Sequence, residues 1–390
     1  MTSIFPASQP SAAPSKAAGH IPSLDGLRGF AVLAVILGHG QRFLPLSPPA
    51  VWRPVHVLLV LGWCGVELFF VLSGFLITRL LLRDKEHGRP GRVLASFYAR
   101  RALRIFPLYY VTLAVIIGLR RVGHIDIGPP LGDGWWYWSY LQNWYNARGH
   151  IPPGVGHFWS LAIEEQFYLL WPIAVLLLSR RSLGNVCIFV IAATAAIRLV
   201  AAYYLDLGPL WLYHATIAHT DGLAMGALLA VLEANRFRQA AAAQAVLCVC
   251  LGALALAILV VCTGSSAMWQ SNTPFSMSAP AAFSLLFFGC LLYVVQHPTA
   301  PVTRLLQSKV PREVGRLSYA LYVFHYPIAW ALETNVVQRA LGVSGACSDI
   351  SCSPRAALIL LPTFVLTSTA MAALSGRFLE RPFLLLKSRL

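Results

Sequence analysis

Charged residues are scarce in this chain: only 12% of its 390 residues are Asp, Glu, Lys or Arg, whereas 57% are hydrophobic. A soluble domain of ordinary composition carries about twice that charged fraction. The mean hydropathy is +0.65, and the apolar residues fall into repeated runs long enough to cross a bilayer. The sequence therefore excludes an ordinary soluble domain and predicts an all-α, polytopic membrane protein of about ten transmembrane helices.

Acidic residues are the scarcer of the charged ones, with 15 Asp and Glu against 30 Lys and Arg. A net charge of +15 would indicate a nucleic-acid partner in a soluble protein, but here the basic residues lie beside apolar runs. Membrane topology and an anionic ligand or lipid surface explain that placement better, so we expect no nucleic-acid partner. Most Lys and Arg residues fall on the side of the termini, which predicts that both termini are cytoplasmic.

Apolar runs of sufficient length predict ten spans. They lie at 24–43, 57–82, 103–120, 157–178, 186–205, 211–233, 243–263, 279–296, 316–338 and 357–379. Residues 1–20 are rich in Ala, Ser and Pro and have no apolar core, so we interpret them as a disordered cytoplasmic tail. Residues 21–390 then form one transmembrane domain, because no internal repeat or soluble second domain is visible.

Metal-ligand spacing is absent as well, since no four-ligand pattern occurs, and we predict no metal. Six of the eight cysteines lie in predicted spans and are interpreted as small core hydrophobes. Cys347 and Cys352 instead share an outer loop. In an oxidising periplasm they could form a disulfide that closes a short loop.

The first apolar run, SLDGLRGFAVLAVILGHG at Ser23–Gly40, contains an arginine and a histidine. Arg28 and His39 are separated by almost three helical turns, so both side chains lie on one face, about 16 Å apart along the axis. Ionisable groups inside a membrane are costly and indicate functional sites. The structural alternative is a snorkelling arginine with a hydrogen-bonded histidine, whereas the functional one uses the imidazole as a proton acceptor.

A pair of arginines follows in the segment YARRALRIFP. Arg101 and Arg104 are three residues apart, so they face the same way on a helix. Two guanidinium groups on one face make a good fork for phosphate oxygens. Cytoplasmic charge that only fixes topology gives the same pattern, and the sequence does not separate the two interpretations.

Carboxylates and another histidine occur together in HFWSLAIEEQFYLLWP. His157 and Glu164 share a face two turns apart, and Glu164 and Glu165 begin a helix whose dipole favours negative charge. That electrostatic effect is a purely structural explanation. The functional alternative is a carboxylate that orients an imidazole or an acceptor hydroxyl.

Three further stretches supply polar candidates within apolar runs. Asp221 lies in AHTDGLAMGALLA, and Tyr322 and His325 share a helical face in LSYALYVFHYPI, where His325 can equally be a satisfied core histidine. The stretch GVELFFVLSGFLIT places Glu67 among large apolar residues. Its Ser73–Gly74 step permits the close approach of another helix.

The longest outer connection, from about Arg121 to Gly156, is dense in Trp and Tyr. Aromatic residues at this density usually form an interfacial belt. Stacking on the sugar rings of an acceptor is the functional alternative, and the sequence leaves both open.

Taken in order, these motifs resemble the membrane-bound acyltransferase family 3, the transmembrane acyltransferases that O-acylate carbohydrates. The matching features run from residue 23 to about 383: Arg28-x10-His39, GVELFFVLSGFLIT, RRALRIFP, FWSLAIEEQFYLLWP, TDGLAMGALLA and LSYALYVFHYPI. The resemblance implies a ten-helix core, a cytoplasmic acyl-coenzyme A donor and an acceptor that is usually outside the cytoplasm.

The resemblance also implies roles for individual residues. Arg28 and His39 match the family's essential pair, with His39 as the catalytic residue, and Glu164 matches its more constant acidic position. Arg101 and Arg104 match its R-x-x-R motif, which is implicated in donor binding.

Other positions are assigned supporting or substrate-binding roles: His157, Glu165, Asp221, Tyr322 and His325. His219 departs from the family pattern, because members often have arginine two residues before the aspartate. We therefore transfer no role to His219.

We expect an enzyme of the cell inner membrane, an O-acyltransferase that moves an acyl group, most simply acetyl, from cytoplasmic acetyl-CoA to a glycan hydroxyl. O-antigen, exopolysaccharide, lipo-oligosaccharide and a small glycosylated metabolite remain open as acceptors. The nucleotide end of coenzyme A would bind Arg101 and Arg104, and its pantetheine arm would run along the Arg28 face and present the thioester near His39. His39 would deprotonate the acceptor or take the acyl group first.

The alternative function is a multi-pass transporter. His39, Glu164 and His325 would then form a proton or substrate pathway through the bundle. The absence of inverted hydropathy repeats argues against this interpretation.

Overall fold

The computed structural model describes residues 20–44, 59–123, 126–234, 241–263, 273–343, 347–348 and 351–387. The tail predicted at 1–20 lies outside these ranges, apart from His20. In the described residues the chain is a bundle of helices joined by short turns, with one pair of two-residue strands.

The helices follow one another with short connections. In chain order they are α1 (Pro22–Gly40), α2 (Gly65–His87), α3 (Pro90–Gly123), α4 (Gly134–Trp138), α5 (Gln142–Ala147), α6 (Trp159–Leu177), α7 (Arg180–Tyr203), α8 (Pro209–His214), α9 (Asp221–Ala234), α10 (Ala241–Thr263), α11 (Thr273–Gln296), α12 (Pro301–Leu306), α13 (Lys309–Arg316), α14 (Ser318–Glu333), α15 (Asn335–Ala340), α16 (Pro354–Ser375) and α17 (Arg381–Lys387).

The strands β1 (Cys347–Ser348) and β2 (Ser351–Cys352) pair antiparallel, with Cys347 opposite Cys352. The side chains of these two cysteines lie outside the described part of the chain, so their disulfide stays a prediction.

Seven helical segments in the described residues are long and apolar enough to cross a membrane. They are Leu61–His87, Pro90–Gly123, Gly156–Leu177, Arg180–Tyr203, Ala242–Cys262, Thr273–Gln296 and Arg355–Leu386. The all-α polytopic class is therefore confirmed, whereas the count of ten spans is not. The segment Pro90–Gly123 is much longer than the predicted span at 103–120, because the basic residues before that span continue the same helix.

The prediction of one continuous span at 211–233 is wrong. Helix α8 ends at His214, a 3₁₀ turn occupies Thr216–Ala218, and α9 begins at Asp221. Side chains from other helices donate hydrogen bonds to the backbone carbonyls at this break. Asn143 donates to the His214 carbonyl at 3.1 Å, and Arg198 donates to the Ala218 carbonyl at 3.4 Å. An interrupted helix is tolerated within a membrane bundle when protein groups satisfy its backbone in this way.

Helix α1 packs against α2, α13 and α14 on one face, whereas Phe30, Leu33 and Leu37 on its other face are exposed. Glycine allows its close contact with α13, because a Cβ atom on Gly315 would lie 2.6 Å from the carbonyl carbon of Asp25. This contact fixes the end of α1 that carries Arg28.

Helices α2 and α9 meet along a seam of small residues. A Cβ atom on Gly74 would lie 2.8 Å from the carbonyl carbon of Leu223, and one on Gly226 would lie 2.8 Å from the backbone nitrogen of Phe75. The close approach predicted from the Ser73–Gly74 step is therefore confirmed, and it brings the two backbones into direct contact.

We expect Gly226→Leu to destabilise the bundle, because the new side chain would push α9 away from α2. Overpacking of this kind costs about 1–3 kcal/mol. Thermal unfolding in detergent, followed by tryptophan fluorescence, should show a lower midpoint. The matched control is Gly118→Ala on α3, where a Cβ atom meets nothing within 4 Å; equal midpoints for the two variants would contradict the seam.

Candidate functional site

A cavity of about 990 Å³ lies between α1, α2, α3, α6 and α14. Its lining on α2 runs from Val66 to Glu86, which corresponds to about 30 Å of helix. We call the end of the bundle where Arg28, Arg101 and Arg104 lie the basic end. The opposite end, which carries residues 126–158, is the loop end.

Seven arginines of the described residues line the cavity, and four of them, Arg79, Arg83, Arg180 and Arg316, are ion-paired. The remaining three are Arg28 on α1, and Arg101 and Arg104 on α3. Within the described residues none of them has a hydrogen bond or an ion pair. The Arg101 guanidinium lies over aromatic rings instead, 5.2 Å from the ring centroid of Tyr168. Guanidinium groups that form no ion pair can bind an anion, and phosphate matches their geometry well.

The carboxylates of Glu164 and Glu165 lie on the same cavity wall. Ser73 donates a hydrogen bond to Glu164 Oε1 at 2.7 Å. Glu164 does not orient His157, because the His157 imidazole donates to the backbone carbonyl of Tyr322 at 2.9 Å instead. The prediction that joined this carboxylate to this imidazole is therefore wrong: His157 lies in the 3₁₀ turn before α6 and faces α14.

Two hydroxyl groups form a polar part of the cavity wall toward the loop end. Tyr322 Oη donates a hydrogen bond to the His157 carbonyl at 3.0 Å, and Ser160 Oγ lies 2.6 Å from the same Oη. The lining includes Arg28 but not His39. The Ser160–Tyr322 wall lies between the cavity and the histidines, and the expectation that a thioester on the Arg28 face would lie near His39 stays a prediction.

Three histidines cluster beyond that wall. The ring centroid of His325 lies 4.9 Å from that of His39 and 4.9 Å from that of His157. The ring of Tyr326 covers two of them, with its centroid 5.0 Å from His39 and 5.0 Å from His157. His39 and His325 are 286 residues apart in the chain, so the fold alone brings them together.

Each of these imidazoles forms a hydrogen bond with a backbone carbonyl. The Tyr322 carbonyl accepts from His325 Nδ1 at 2.7 Å as well as from His157, and the Val35 carbonyl accepts from His39 Nδ1 at 2.9 Å. Among the described residues no group of three or more His, Cys, Asp or Glu side chains is arranged to hold a metal ion.

Two buried ion pairs lie outside the cavity. Arg198 donates to Asp221 at 2.5 Å across α7 and α9, and His219 Nε2 lies 2.6 Å from Glu67 Oε1. Asp221 does not line the cavity, and its position favours a packing role. Sequence reasoning missed both pairs, although an arginine and a histidine within apolar runs indicated that each needed a carboxylate partner.

The aromatic connection at the loop end divides into two sets. Tyr137, Tyr140 and Tyr145 are buried, whereas Trp135 and Trp138 are 52% and 45% exposed. Trp135 stacks on the neighbouring indole of Trp136 with ring centroids 4.0 Å apart. The exposed pair is compatible with both predictions for this loop, an interfacial belt or a platform for sugar rings.

An apolar bundle with an anion site in a deep cavity, and with imidazoles beyond the cavity wall, has the arrangement of a membrane-embedded enzyme. Comparison with known families identifies the class more closely. The chain belongs to the acyltransferase domain family, whose match covers residues 21–374. The resemblance drawn from the ordered motifs is therefore confirmed.

Two bacterial relatives show how far the similarity extends. The peptidoglycan O-acetyltransferase OatA of Listeria monocytogenes serovar 1/2a (strain ATCC BAA-679 / EGD-e) is 30% identical over 384 residues, which cover 93% of this chain and 56% of that protein. The O-acetyltransferase OatA of Staphylococcus aureus (strain NCTC 8325 / PS 47) is 27% identical over 383 residues, 93% of this chain and 57% of that protein. This chain thus spans little more than half the length of these relatives. No solved structure matches it significantly.

Asp221→Asn should destabilise the protein strongly, because it leaves Arg198 charged and uncompensated in an apolar interior. Loss of one partner of a buried pair costs about 3–5 kcal/mol, whereas replacing both partners by apolar residues is often neutral. We therefore expect a lower unfolding midpoint for Asp221→Asn and recovery in the double variant Arg198→Met, Asp221→Leu. A double variant that is no more stable than the single one would contradict a packing role for this pair.

Proposed function

We propose that this chain is a membrane-embedded O-acyltransferase that moves an acetyl group from acetyl-CoA to a hydroxyl of a glycan. One observation carries the proposal: three arginines that form no hydrogen bond or ion pair with the described residues line one end of a deep cavity, and a histidine cluster lies beyond the other. Family membership and the names of the two relatives support acyl transfer, and the name of the Listeria relative supports a glycan acceptor.

Coenzyme A fits the cavity by its distribution of charge. It carries phosphate groups at the nucleotide end and the thioester at the far end of an uncharged arm. Its phosphates would bind Arg28, Arg101 and Arg104, and the arm would follow α2 toward Ser160 and Tyr322. The cavity volume is at the upper limit of the roughly 300–1,000 Å³ that small-molecule sites occupy.

The chemical step follows from the imidazole of His39. His39 Nε2 takes the proton of the acceptor hydroxyl while the oxygen attacks the thioester carbonyl. The carbon–sulfur bond breaks, and the leaving thiolate receives the proton from the imidazolium, which gives an ester and free coenzyme A. In the alternative route Nε2 attacks first and an acyl-histidine forms. Either route requires the thioester to pass the Ser160–Tyr322 wall, because His39 does not line the cavity.

The proposal places the basic end in the cytoplasm and the loop end outside it. The excess of Lys and Arg around the basic end supports this orientation, and acetyl-CoA is then available from the side on which the arginines lie. Trp135 is exposed and stacks on Trp136, and the guanidinium of Arg148 lies over the ring of Trp136. A sugar ring would stack on an indole here and accept hydrogen bonds from Arg148. The name of the Listeria relative adds peptidoglycan to the possible acceptors.

Arg104→Gln should raise the KM for acetyl-CoA by about tenfold or more, since a charge-assisted hydrogen bond to phosphate contributes about 1.5–3 kcal/mol. Steady-state kinetics of the purified protein in nanodiscs would measure this change. The control is Arg92→Gln, on the same helix but exposed and outside the cavity. Equal KM values for both variants would remove Arg104 from the donor site.

His39→Ala should abolish transfer while the protein still folds. Mass spectrometry of surface glycans would compare a deletion strain complemented with either the wild-type gene or the variant, and we expect ester groups to return only with the wild type. Protein level and unfolding midpoint serve as controls. Ester groups restored by His39→Ala would contradict the catalytic assignment, and a deletion without any change in ester content would favour the transporter.

A further inference from the structure

Hydrogen bonds define which nitrogen of His325 carries the proton. Its Nδ1 lies 2.7 Å from the Tyr322 carbonyl and 3.2 Å from the Leu321 carbonyl. A carbonyl oxygen only accepts hydrogen bonds, so Nδ1 must be the protonated nitrogen. In the neutral ring Nε2 is then an acceptor with a free lone pair.

That free lone pair points at His39. His325 Nε2 lies 3.3 Å from His39 Nδ1, and the same Nδ1 lies 2.9 Å from the Val35 carbonyl. Both neighbours of His39 Nδ1 are acceptors, so this nitrogen carries the proton and shares it between them. The lone pair of His39 is therefore on Nε2, the nitrogen that has to act as the base.

We propose that His325 is a positioning residue for His39, which holds the imidazole in the Nδ1–H tautomer and stabilises the imidazolium that forms during transfer. The inference rests on the proposed function, in which His39 is the base. A carboxylate has this position in many hydrolase sites. Here a neutral imidazole takes the place of that carboxylate, so no negative charge has to be buried inside the membrane bundle.

The surroundings keep His325 itself in place. The Tyr322 carbonyl that it contacts is held by a second imidazole, that of His157. Pro327 lies two residues after His325 and supplies no backbone N–H, so the helical hydrogen-bond ladder is interrupted at this turn. On the other side of His39 lies the ring of Tyr326, and the guanidinium of Arg42 lies over that ring, 5.1 Å from its centroid.

Two isosteric substitutions separate the two hydrogen bonds of His325. In His325→Gln the amide oxygen occupies the position of Nε2 and can still accept from His39. In His325→Asn the amide reaches only the position of Nδ1, so it can bond the Tyr322 carbonyl but not His39. We expect kcat to fall by about tenfold to a hundredfold in His325→Asn, less than the roughly 10²–10⁴-fold that general-base catalysis supplies, and to stay within about threefold in His325→Gln.

The kinetics are measured with the purified full chain in nanodiscs and acetyl-CoA as the donor. The KM for acetyl-CoA should be unchanged in both variants, because His325 does not line the cavity. Equal losses of kcat in Gln and Asn variants with wild-type unfolding midpoints would overturn the inference, and so would an effect on KM alone. Full activity of His39→Ala would instead refute the proposed function, which keeps the two failures distinct.

A measurement on the unmodified protein does not depend on how the variants fold. Nitrogen-15 NMR of histidine-labelled protein distinguishes protonated from unprotonated ring nitrogens, and His39→Gln identifies the His39 signals by their loss. We expect His39 with a protonated Nδ1 and an unprotonated Nε2. The opposite tautomer would overturn the assignment of His325 as the residue that holds it.

Discussion

An apolar bundle tolerates an ion only where its charge is compensated, and this constraint sorts the polar residues of the chain into two kinds. At tight helix interfaces compensation is internal: Arg198 has Asp221, and Glu67 has His219. On the cavity wall three arginines, Arg28, Arg101 and Arg104, form no ion pair or hydrogen bond within the described residues. The difference separates ion pairs that hold helices together from cations that are available to a ligand.

The histidines satisfy the same constraint without charge. Each imidazole of the cluster bonds a backbone carbonyl, so a neutral ring can be buried at small cost. Because a carbonyl accepts only, each such bond also decides the tautomer of the ring. The hydrogen bonds to backbone carbonyls therefore lower the cost of burying the imidazoles, and they also leave the lone pair of His39 on Nε2.

The sequence predicted the features that depend on one helix. The spacing of Arg101 and Arg104 predicted a common face, and the structure places both on the cavity wall with Arg28. The ordered motifs led to the family, which the comparison confirms. Helical periodicity gives the direction of a side chain but not the neighbour that covers it, so it did not reveal that Tyr322 lies between the cavity and His39.

Features that depend on contacts between several helices could not be predicted from the sequence. The contact of His39 with His325 joins the first helix to one near the end of the chain, and no local pattern encodes it. The break in the predicted span at 211–233 has the same origin, since Asn143 and Arg198 from other helices take its carbonyls. Hydropathy alone cannot distinguish such an interrupted segment from a continuous one.

The aromatic loop has a consequence for the height of the site in the bilayer. Tyr109 donates to the Tyr137 carbonyl at 2.8 Å, which ties the loop to α3, and Asn146 donates to the Gly156 carbonyl at 2.7 Å, next to His157. Exposed indoles such as Trp135 prefer the level of the lipid headgroups. These two hydrogen bonds link the exposed indoles, α3 and the turn that carries His157, so the position of the imidazoles is coupled to that of the loop.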